Sequence, residues 1–421
     1  MKLGARIRSI ALFEQLGPGL VTGAADDDPS GIATYSQAGA QFGFHLLWTM
    51  VLTYPLMTAI QLVSAHIGRV TGCGLAKNMS ELLPRWLVTG LVALLFVANT
   101  INIGADIAAM GDAAELVVGR GAHVFTILFA IVSLVLQLFV PYPRYSNFLK
   151  WVTLSLFAYV ALLFMVKLNW LAAAKGLVWP VIDGKQALVT IVAIFGTTIS
   201  PYLFFWQSAQ EVEEVAQDDA AQPLLDAPWQ ARREFRRMRL DTFVGMGVSN
   251  LVALAIMIGT AATLNAAGHS GINTAADAAK ALEPVAGKFA FLLFALGIIG
   301  TGLLAVPVLA GSAAYAIGES RGWKCGLEHK PWEAVGFYVV IGLATLLGIA
   351  IDWSPLDPIK ALFYSAVING FVAVPIMAAM MLVVSRHSAM GKFTACPKLL
   401  FFGWAATAVM AAAALAMLAV Q

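Results

Sequence analysis

The feature that most limits how this chain can fold is a run of three carboxylates inside an apolar stretch. Residues 16–40 are apolar enough to enter a membrane, yet their centre reads Asp26-Asp27-Asp28-Pro29. An acidic side chain at mid-bilayer costs roughly 2.5–3.5 kcal/mol, so three of them need compensation. Because Pro29 has no backbone N–H and disfavours helical geometry at Asp28, a continuous helix is also unfavourable. We therefore predict a helix broken in mid-membrane, with acidic and carbonyl oxygens facing a site for a cation.

The composition is typical of a protein that spans a lipid bilayer. Hydrophobic residues make up 60% of its 421 residues and charged residues only 12%, whereas soluble domains carry about 25% charged residues. The net charge of +2 gives no reason to expect nucleic acid as a partner. No small-residue cleavage site precedes the acids, so we predict a cytoplasmic tail at 1–15 rather than a signal peptide.

Hydropathy predicts an all-α polytopic membrane protein with eleven spans. The spans lie near 16–41, 44–68, 87–117, 123–140, 150–167, 186–214, 240–264, 286–317, 333–351, 359–384 and 399–420. The polar stretch 215–239 is too long for a tight turn, and we expect a loop with a short amphipathic helix there. Its five arginines are predicted to form a surface that faces lipid headgroups.

The distribution of basic residues predicts the orientation in the cell membrane. With a cytoplasmic N-terminus, the inner segments contain 19 of the 26 Lys and Arg residues. This excess satisfies the positive-inside rule. The three cysteines fall in or beside the same inner segments, where a reducing cytosol disfavours disulfides.

A second proline break lies in the sixth span, within Gly196-Thr197-Thr198-Ile199-Ser200-Pro201-Tyr202. Spans one to five (16–170) and six to ten (186–385) would each form one repeat, followed by an eleventh helix at 399–420. Because five is odd, the second repeat begins on the opposite side of the membrane. Matched broken helices in two inverted halves indicate the midplane binding site of a transporter.

These segments carry a family resemblance. Gly17-Pro18-Gly19, Asp28-Pro29-Ser30-Gly31 and the segment 196–202 resemble the natural-resistance-associated macrophage protein (Nramp) family of divalent-metal transporters. The resemblance implies a leucine-transporter-like fold, a 5+5 inverted repeat in which helices 1 and 6 unwind around the metal. It implies no enzymatic activity and no cofactor, because the metal ion is the transported substrate. No obligate protein partner is evident.

The departures from the family pattern concern the metal ligands. Gly31 stands where the family has a ligand Asn, and Ser200 stands where it has a ligand Met. The resemblance therefore implies a metal site made of Asp28, Thr197 and Ser200, with Gly31 at the fourth ligand position. Without a thioether this set is all oxygen, and oxygen ligands suit Mg²⁺ better than softer transition metals. Mg²⁺ also keeps several waters, so we expect a partly hydrated ion, as in the Nramp-related magnesium transporter branch.

Proton coupling is expected to be weak or absent. Proton-coupled relatives carry an Asp in span three and a Glu three residues later. This chain keeps Asp106 but has Ala109, and it has Tyr202 in place of a His in span six. Asp112 lies further along span three but not on the same face as Asp106.

Three other polar residues have open roles. Asp26 and Asp27 either line a negative vestibule that concentrates cations or pair structurally, with a basic group or as protonated caps. Asn369 in span ten either touches a metal-bound water or bonds a neighbouring helix.

Other function classes fit less well. The main alternative is proton-coupled Mn²⁺ or Fe²⁺ transport, which is typical of the Nramp family. An amino-acid transporter of the same fold is disfavoured, because three acids would repel a substrate carboxylate. An intramembrane enzyme would need paired, facing acids, and the sequence has only a contiguous triplet.

Overall fold

A computed structural model describes residues 22–23, 25–140, 154–218, 220–268, 271–272, 274–351 and 357–420. Every regular element within these ranges is a helix. The predicted tail at 1–15, the Gly17-Pro18-Gly19 motif and the predicted start of the fifth span at 150–153 lie outside the described residues.

The first half of the chain contains seven named α-helices in the described ranges. They are α1 (Pro29–Phe42), α2 (Trp48–Thr71), α3 (Leu75–Leu82), α4 (Arg85–Val118), α5 (Ala122–Phe139), α6 (Phe157–Met165) and α7 (Trp170–Val178). A further helical segment at Thr22–Asp26, described except for residue 24, precedes α1 and is interrupted at Asp27 and Asp28.

The second half continues with ten named α-helices in the described ranges. They are α8 (Gly184–Thr198), α9 (Pro201–Gln217), α10 (Ala231–Thr260), α11 (Ala275–Lys280), α12 (Glu283–Ala286), α13 (Ala290–Arg321), α14 (Val335–Ile351), α15 (Pro358–Ser385), α16 (His387–Met390) and α17 (Pro397–Val420). A short π-helical segment, Ala261–Asn265, extends α10.

Eight helices or helix pairs in the described residues are long and apolar enough to cross a membrane. They comprise α2, α4, α5, the pair α8 and α9, α10, α13, α15 and α17. The shorter apolar helix α14 matches the predicted ninth span closely. The predicted all-helical membrane class is thus confirmed, while the count of eleven spans stays a prediction.

Close helix crossings at small residues bring four helices together around the two breaks. Gly196 of α8 crosses α15 so closely that a Cβ there would overlap the backbone of Ala366 and Gly370. At Gly302 of α13, a Cβ would overlap the Met110 side chain and would lie at an ordinary contact distance, 3.4 Å, from Pro29 Cγ. Small residues allow such close approach of backbones inside a membrane. A larger side chain at Gly196 would push α15 away from α8, whereas one at Gly302 would first displace the flexible Met110 side chain.

The expected short amphipathic helix within 215–239 is wrong. The basic run belongs to the first turns of α10, which begins at Ala231 and continues to Thr260 without interruption. The connecting loop is tied to the end of α2 instead, since the N–H groups of Leu224 and Leu225 donate to the carbonyls of Arg69 and Val70. Helix propagation is favourable once a turn exists, so the strongly helical Arg-rich segment extends the span.

One arginine of this run does not face lipid headgroups. Arg237 lies 2.6 Å from Glu211 and 2.7 Å from Glu214, both on α9, and 3.1 Å from Glu234 on α10. Glu234 also lies 3.3 Å from Arg69 of α2. The Glu211 side chain is fully buried, and Arg237 is only 20% exposed. This charged cluster therefore links α2, α9 and α10 at the predicted cytoplasmic end.

We predict that Arg237→Gln lowers the free energy of unfolding by about 3–5 kcal/mol, because the substitution leaves a buried Glu211 without its cation. Chemical unfolding of the purified protein in detergent micelles measures this change. Arg236→Gln is the matched control: Arg236 is the exposed neighbour on the same helix, and its loss should change the free energy by less than about 0.5 kcal/mol. Equal effects of the two substitutions would contradict the role of Arg237 as the cation that pairs with buried Glu211.

Candidate metal site between two helix breaks

The first break is organised by Asp28, which caps α1. Asp28 has extended backbone angles (φ −68°, ψ 169°), and Pro29 occupies the first turn of the helix. Its Oδ1 accepts hydrogen bonds from the N–H of Gly31 and from Ser30 Oγ, each at 2.7 Å. Asp at the N-cap followed by Pro is a strong helix-start signal. The same residues that break the helix therefore hold the carboxylate at the break.

The second break separates α8 from α9 at Ile199 and Ser200. Ser200 Oγ donates towards the Gly196 carbonyl at 2.9 Å and the Thr197 carbonyl at 2.6 Å. These carbonyls belong to the last turn of α8, where no backbone N–H follows to satisfy them. The Thr197 carbonyl retains a second lone pair, and the Ser200 oxygen can still act as an acceptor.

The two breaks lie directly against each other. Ser30 Oγ is 3.3 Å from Thr197 Oγ1. Tyr202, which begins α9 with Pro201, donates from its hydroxyl towards Asp28 Oδ2 at 3.3 Å and the Ala25 carbonyl at 3.2 Å. Asp28, Thr197, Ser200 and Tyr202 are all at most 1% exposed. The structure therefore brings together the residues that the sequence assigns to one site.

Gly31 stands between the breaks but contributes no side-chain ligand. Its N–H donates to Asp28, and an N–H group cannot bind a cation. A Cβ at Gly31 would lie 3.2 Å from Tyr35 Cε2 and 3.3 Å from Thr197 Oγ1. The Tyr35 hydroxyl is in turn 3.0 Å from Thr198 Oγ1. The space for a larger side chain at position 31 is thus already filled by Tyr35 and Thr197.

Asp26 and Asp27 face away from this junction towards α10. Ser249 Oγ lies 2.7 Å from Asp26 Oδ2 and 3.1 Å from Asp27 Oδ1. The two acids are 0% and 6% exposed, so they do not line an open vestibule in this conformation. Their partner in the described residues is a hydroxyl rather than a basic group. Neither sequence-based alternative for the pair describes this arrangement fully.

Two buried polar side chains near the breaks have no protein partner within the described residues. Asp106 of α4 is fully buried, and neither carboxylate oxygen has a hydrogen-bond partner there. Asn369 of α15 is 1% exposed, and both of its amide atoms are likewise unpartnered. Asp112 is partly exposed, six residues beyond Asp106 and thus about 9 Å further along α4. Buried polar groups need water or an ion when the protein offers no partner.

The sequence analysis missed Asn102 of α4 and Ser249 of α10. Asn102 Nδ2 donates to Asp28 Oδ2 at 3.2 Å. Its position one helical turn before Asp106 is a signal that sequence reasoning could have used. No comparable signal marks Ser249, whose role depends on how α10 packs against the first break.

The site is poor in charged ligands. No group of three or more His, Cys, Asp or Glu side chains within the described ranges could hold a metal ion. The donors at the junction are the Asp28 carboxylate, the Thr197 carbonyl and the hydroxyls of Ser30, Thr197, Ser200 and Tyr202. Such an all-oxygen set suits a hard cation that keeps part of its water shell.

Sequence comparison gives a family match over almost the whole chain. The profile of the natural resistance-associated macrophage protein-like family matches residues 19–420. A divalent metal cation transporter MntH from Acidiphilium cryptum is 28% identical over 384 residues, which cover 89% of this chain and 83% of that protein. MntH from Klebsiella pneumoniae is 28% identical over 410 residues, covering 94% of this chain and 91% of that protein.

Structure comparison identifies the fold. The manganese transporter of Eremococcus coleocola superposes with a TM-score of 0.73 at 17% identity, covering 95% of this chain and 85% of that one. Mhp1, a nucleobase-cation-symport-1 family transporter, superposes with a TM-score of 0.54 at 12% identity, covering 96% of this chain and 92% of that one. The predicted leucine-transporter-like fold class is thereby confirmed.

Proposed function

The chain belongs to the natural resistance-associated macrophage protein-like family, and on that premise we propose that it transports divalent metal cations, with partly hydrated Mg²⁺ as the preferred ion. It is a transporter and not an enzyme, and the metal is cargo. The observation that carries the proposal is the junction of the two breaks, where the Asp28 carboxylate lies beside neutral hydroxyl and carbonyl oxygens among the described residues. The family relatives named MntH and the Eremococcus coleocola manganese transporter support divalent metals as the substrate class.

The two oxygens of Asp28 differ in a way that suggests which one meets the ion. Oδ1 accepts two bonds of 2.7 Å from its own helix, those of Ser30 and Gly31. Oδ2 accepts longer bonds, 3.2 Å from Asn102 and 3.3 Å from Tyr202. Longer hydrogen bonds are weaker, so Oδ2 keeps more of its capacity to bind a cation than Oδ1 does, even while Asn102 still orients it. We therefore assign Oδ2 as the oxygen that binds the ion or one of its waters.

The donor set favours Mg²⁺ over softer metals. Neither thioether, thiol nor imidazole stands at the ligand positions that the family resemblance assigns, because Ser200 replaces Met. A carboxylate, a carbonyl and hydroxyls suit Mg²⁺, which gives up its waters reluctantly and usually keeps several. The unpartnered polar atoms of Asp106 and Asn369 offer hydrogen bonds to waters of such a shell.

The runner-up is proton-coupled Mn²⁺ transport. It is favoured by the name of the structural relative from Eremococcus coleocola. It is disfavoured by the loss of Met and Asn at positions 200 and 31 and by Ala109 and Tyr202, which remove titratable partners. An amino-acid or other organic substrate is the third reading. The buried acids at positions 26–28 make a substrate carboxylate unfavourable there.

Uptake into proteoliposomes tests the proposal. We expect Mg²⁺ uptake by the parent protein and at least a tenfold loss for Asp28→Ala, because removal of the only charged ligand weakens the site. Asp226→Ala is the matched control, since Asp226 is exposed on the loop before α10, and its uptake should equal that of the parent. Mn²⁺ uptake without any Mg²⁺ uptake would overturn the choice of ion. Mg²⁺ uptake unaffected by Asp28→Ala would overturn the site.

Exchange of Ser200 for Met tests what sets the ion preference. We predict that Ser200→Met raises the affinity for Mn²⁺ or Cd²⁺ relative to Mg²⁺ by about tenfold, because the thioether is a soft ligand. Competition of each ion against Mg²⁺ uptake measures the ratio. Ser200→Ala is the control, since it removes the hydroxyl that bonds Gly196 and Thr197 but adds no sulfur. If both substitutions shift the ratio equally, sulfur is not the determinant.

Proton coupling is tested with a pH-sensitive dye inside the liposomes. We predict that Mg²⁺ uptake follows the electrochemical gradient with little or no acidification of the interior, because the acid at 106 lacks the Glu partner at position 109. Asp106→Asn should then leave the dye signal unchanged. Metal-dependent acidification that Asp106→Asn abolishes would contradict this prediction and favour the runner-up.

A further inference from the structure

Asn102 joins three helices at the candidate metal site. It lies on α4 and is fully buried. Its Nδ2 donates to Asp28 Oδ2 at 3.2 Å, at the start of α1. Its Oδ1 accepts from Ser365 Oγ of α15 at 2.7 Å. The Asn102 side chain thus connects Asp28, the predicted ligand, to α4 and α15.

The chemistry of the partners determines the orientation of the amide. An ionised carboxylate only accepts hydrogen bonds, so the NH₂ end of Asn102 must face Asp28. The carbonyl end then faces Ser365, whose hydroxyl can donate to it. The Ser365 hydroxyl also lies 2.7 Å from the Leu362 carbonyl, so its single hydrogen is divided between two acceptors.

Asn102 is the donor most fully committed to Asp28 Oδ2. The other donor to this oxygen, the Tyr202 hydroxyl, has one hydrogen, and that hydrogen also points to the Ala25 carbonyl at 3.2 Å. Asn102 Nδ2 has two hydrogens, of which one suffices for Asp28. Oδ1 is held by Ser30 and Gly31 within its own helix. Rotation of the carboxylate is therefore restrained at Oδ2 chiefly from α4.

We propose that Asn102 is a positioning residue for the metal-binding carboxylate. It orients Asp28 Oδ2 towards the junction of the two helix breaks, and Ser365 orients Asn102. The inference rests on the proposed function, which assigns Asp28 as the metal ligand. Side chains that orient a ligand typically change metal affinity by roughly 10-fold to 100-fold when they are removed.

A neutral amide suits this role better than a cationic side chain. Lys or Arg at position 102 would orient the carboxylate but also neutralise it, and would compete with the incoming ion. The amide of Asn102 donates one hydrogen bond and leaves the negative charge of Asp28 available. Asp28 supplies the carboxylate among the proposed ligands in the described residues, so preservation of its charge matters for binding a divalent cation.

The chain provides a matched control one turn earlier on α4. Asn99 is also fully buried, and its Nδ2 donates to the Leu309 carbonyl and to Ser312 Oγ of α13, each at 2.8 Å. Within the described residues, Asn99 has no hydrogen bond to Asp28. Asn99→Leu and Asn102→Leu therefore remove the same group from fully buried positions on adjacent turns of one helix, but only Asn102→Leu removes a hydrogen bond to Asp28.

Isothermal titration of the purified full chain with Mg²⁺, together with its thermal unfolding, tests the inference. We expect Asn102→Leu to raise the Kd about 10-fold to 100-fold. Ser365→Ala should raise it several-fold in the same direction, since it frees the amide to rotate. Asn99→Leu should lower the unfolding temperature by a similar amount to Asn102→Leu while leaving the Kd at the parent value. Asp28→Ala should abolish binding.

Each other outcome has a definite meaning. An unchanged Kd for Asn102→Leu beside lost binding for Asp28→Ala overturns the positioning role and leaves the proposed function intact. Unchanged binding for Asp28→Ala overturns the proposed function itself. Equal increases in Kd for Asn99→Leu and Asn102→Leu show a structural effect and also overturn the inference. If Asn102→Leu does not fold, Ser365→Ala decides, and an unchanged Kd there rejects the proposal.

Discussion

The four hydrogen bonds to the Asp28 carboxylate are the interaction on which the rest of the site depends. Two come from Ser30 and Gly31, which follow Pro29 in the first turn of α1, and two come from other helices, through Asn102 and Tyr202. A carboxylate without such donors is costly inside a membrane. The helix must break at Pro29 to provide the first pair, and α4 and α9 must approach to provide the second. The local geometry of the site thus follows from the need to satisfy one buried carboxylate.

The second break supplies what the first cannot. The end of α8 presents carbonyl groups, and two of them share the single hydroxyl hydrogen of Ser200. Neutral carbonyl and hydroxyl oxygens therefore lie beside one negatively charged carboxylate at the junction. The glycine crossing of α8 with α15 at Gly196 and Gly370 holds this junction close to Asn369. Such a site neutralises only part of the charge of a divalent cation. This agrees with a transported ion that retains some of its water.

Features that depend on neighbouring residues in the chain were predictable from the sequence. The breaks at Pro29 and Pro201 follow from local backbone chemistry, and the structure has both. The Arg-rich segment was wrongly assigned to a separate short helix, because the sequence does not show where helix propagation stops. Asn102 and Ser249 were missed because their roles depend on which helices pack together. The family resemblance predicts Asp28 and Thr197 as ligands and marks positions 31 and 200, but the roles of Gly31 and Ser200 had to be argued from their own chemistry, because this chain departs from the family there.

The number of waters on the bound ion is the most direct test of the proposed metal site. Mn²⁺ can replace Mg²⁺ as a paramagnetic probe, and pulsed electron paramagnetic resonance in ¹⁷O-labelled water counts the waters that it retains. We expect several retained waters together with one carboxylate ligand, and we expect Asp28→Asn to weaken ion binding. An ion that has lost all or nearly all of its water and is bound chiefly by protein atoms would contradict transport of a partly hydrated cation.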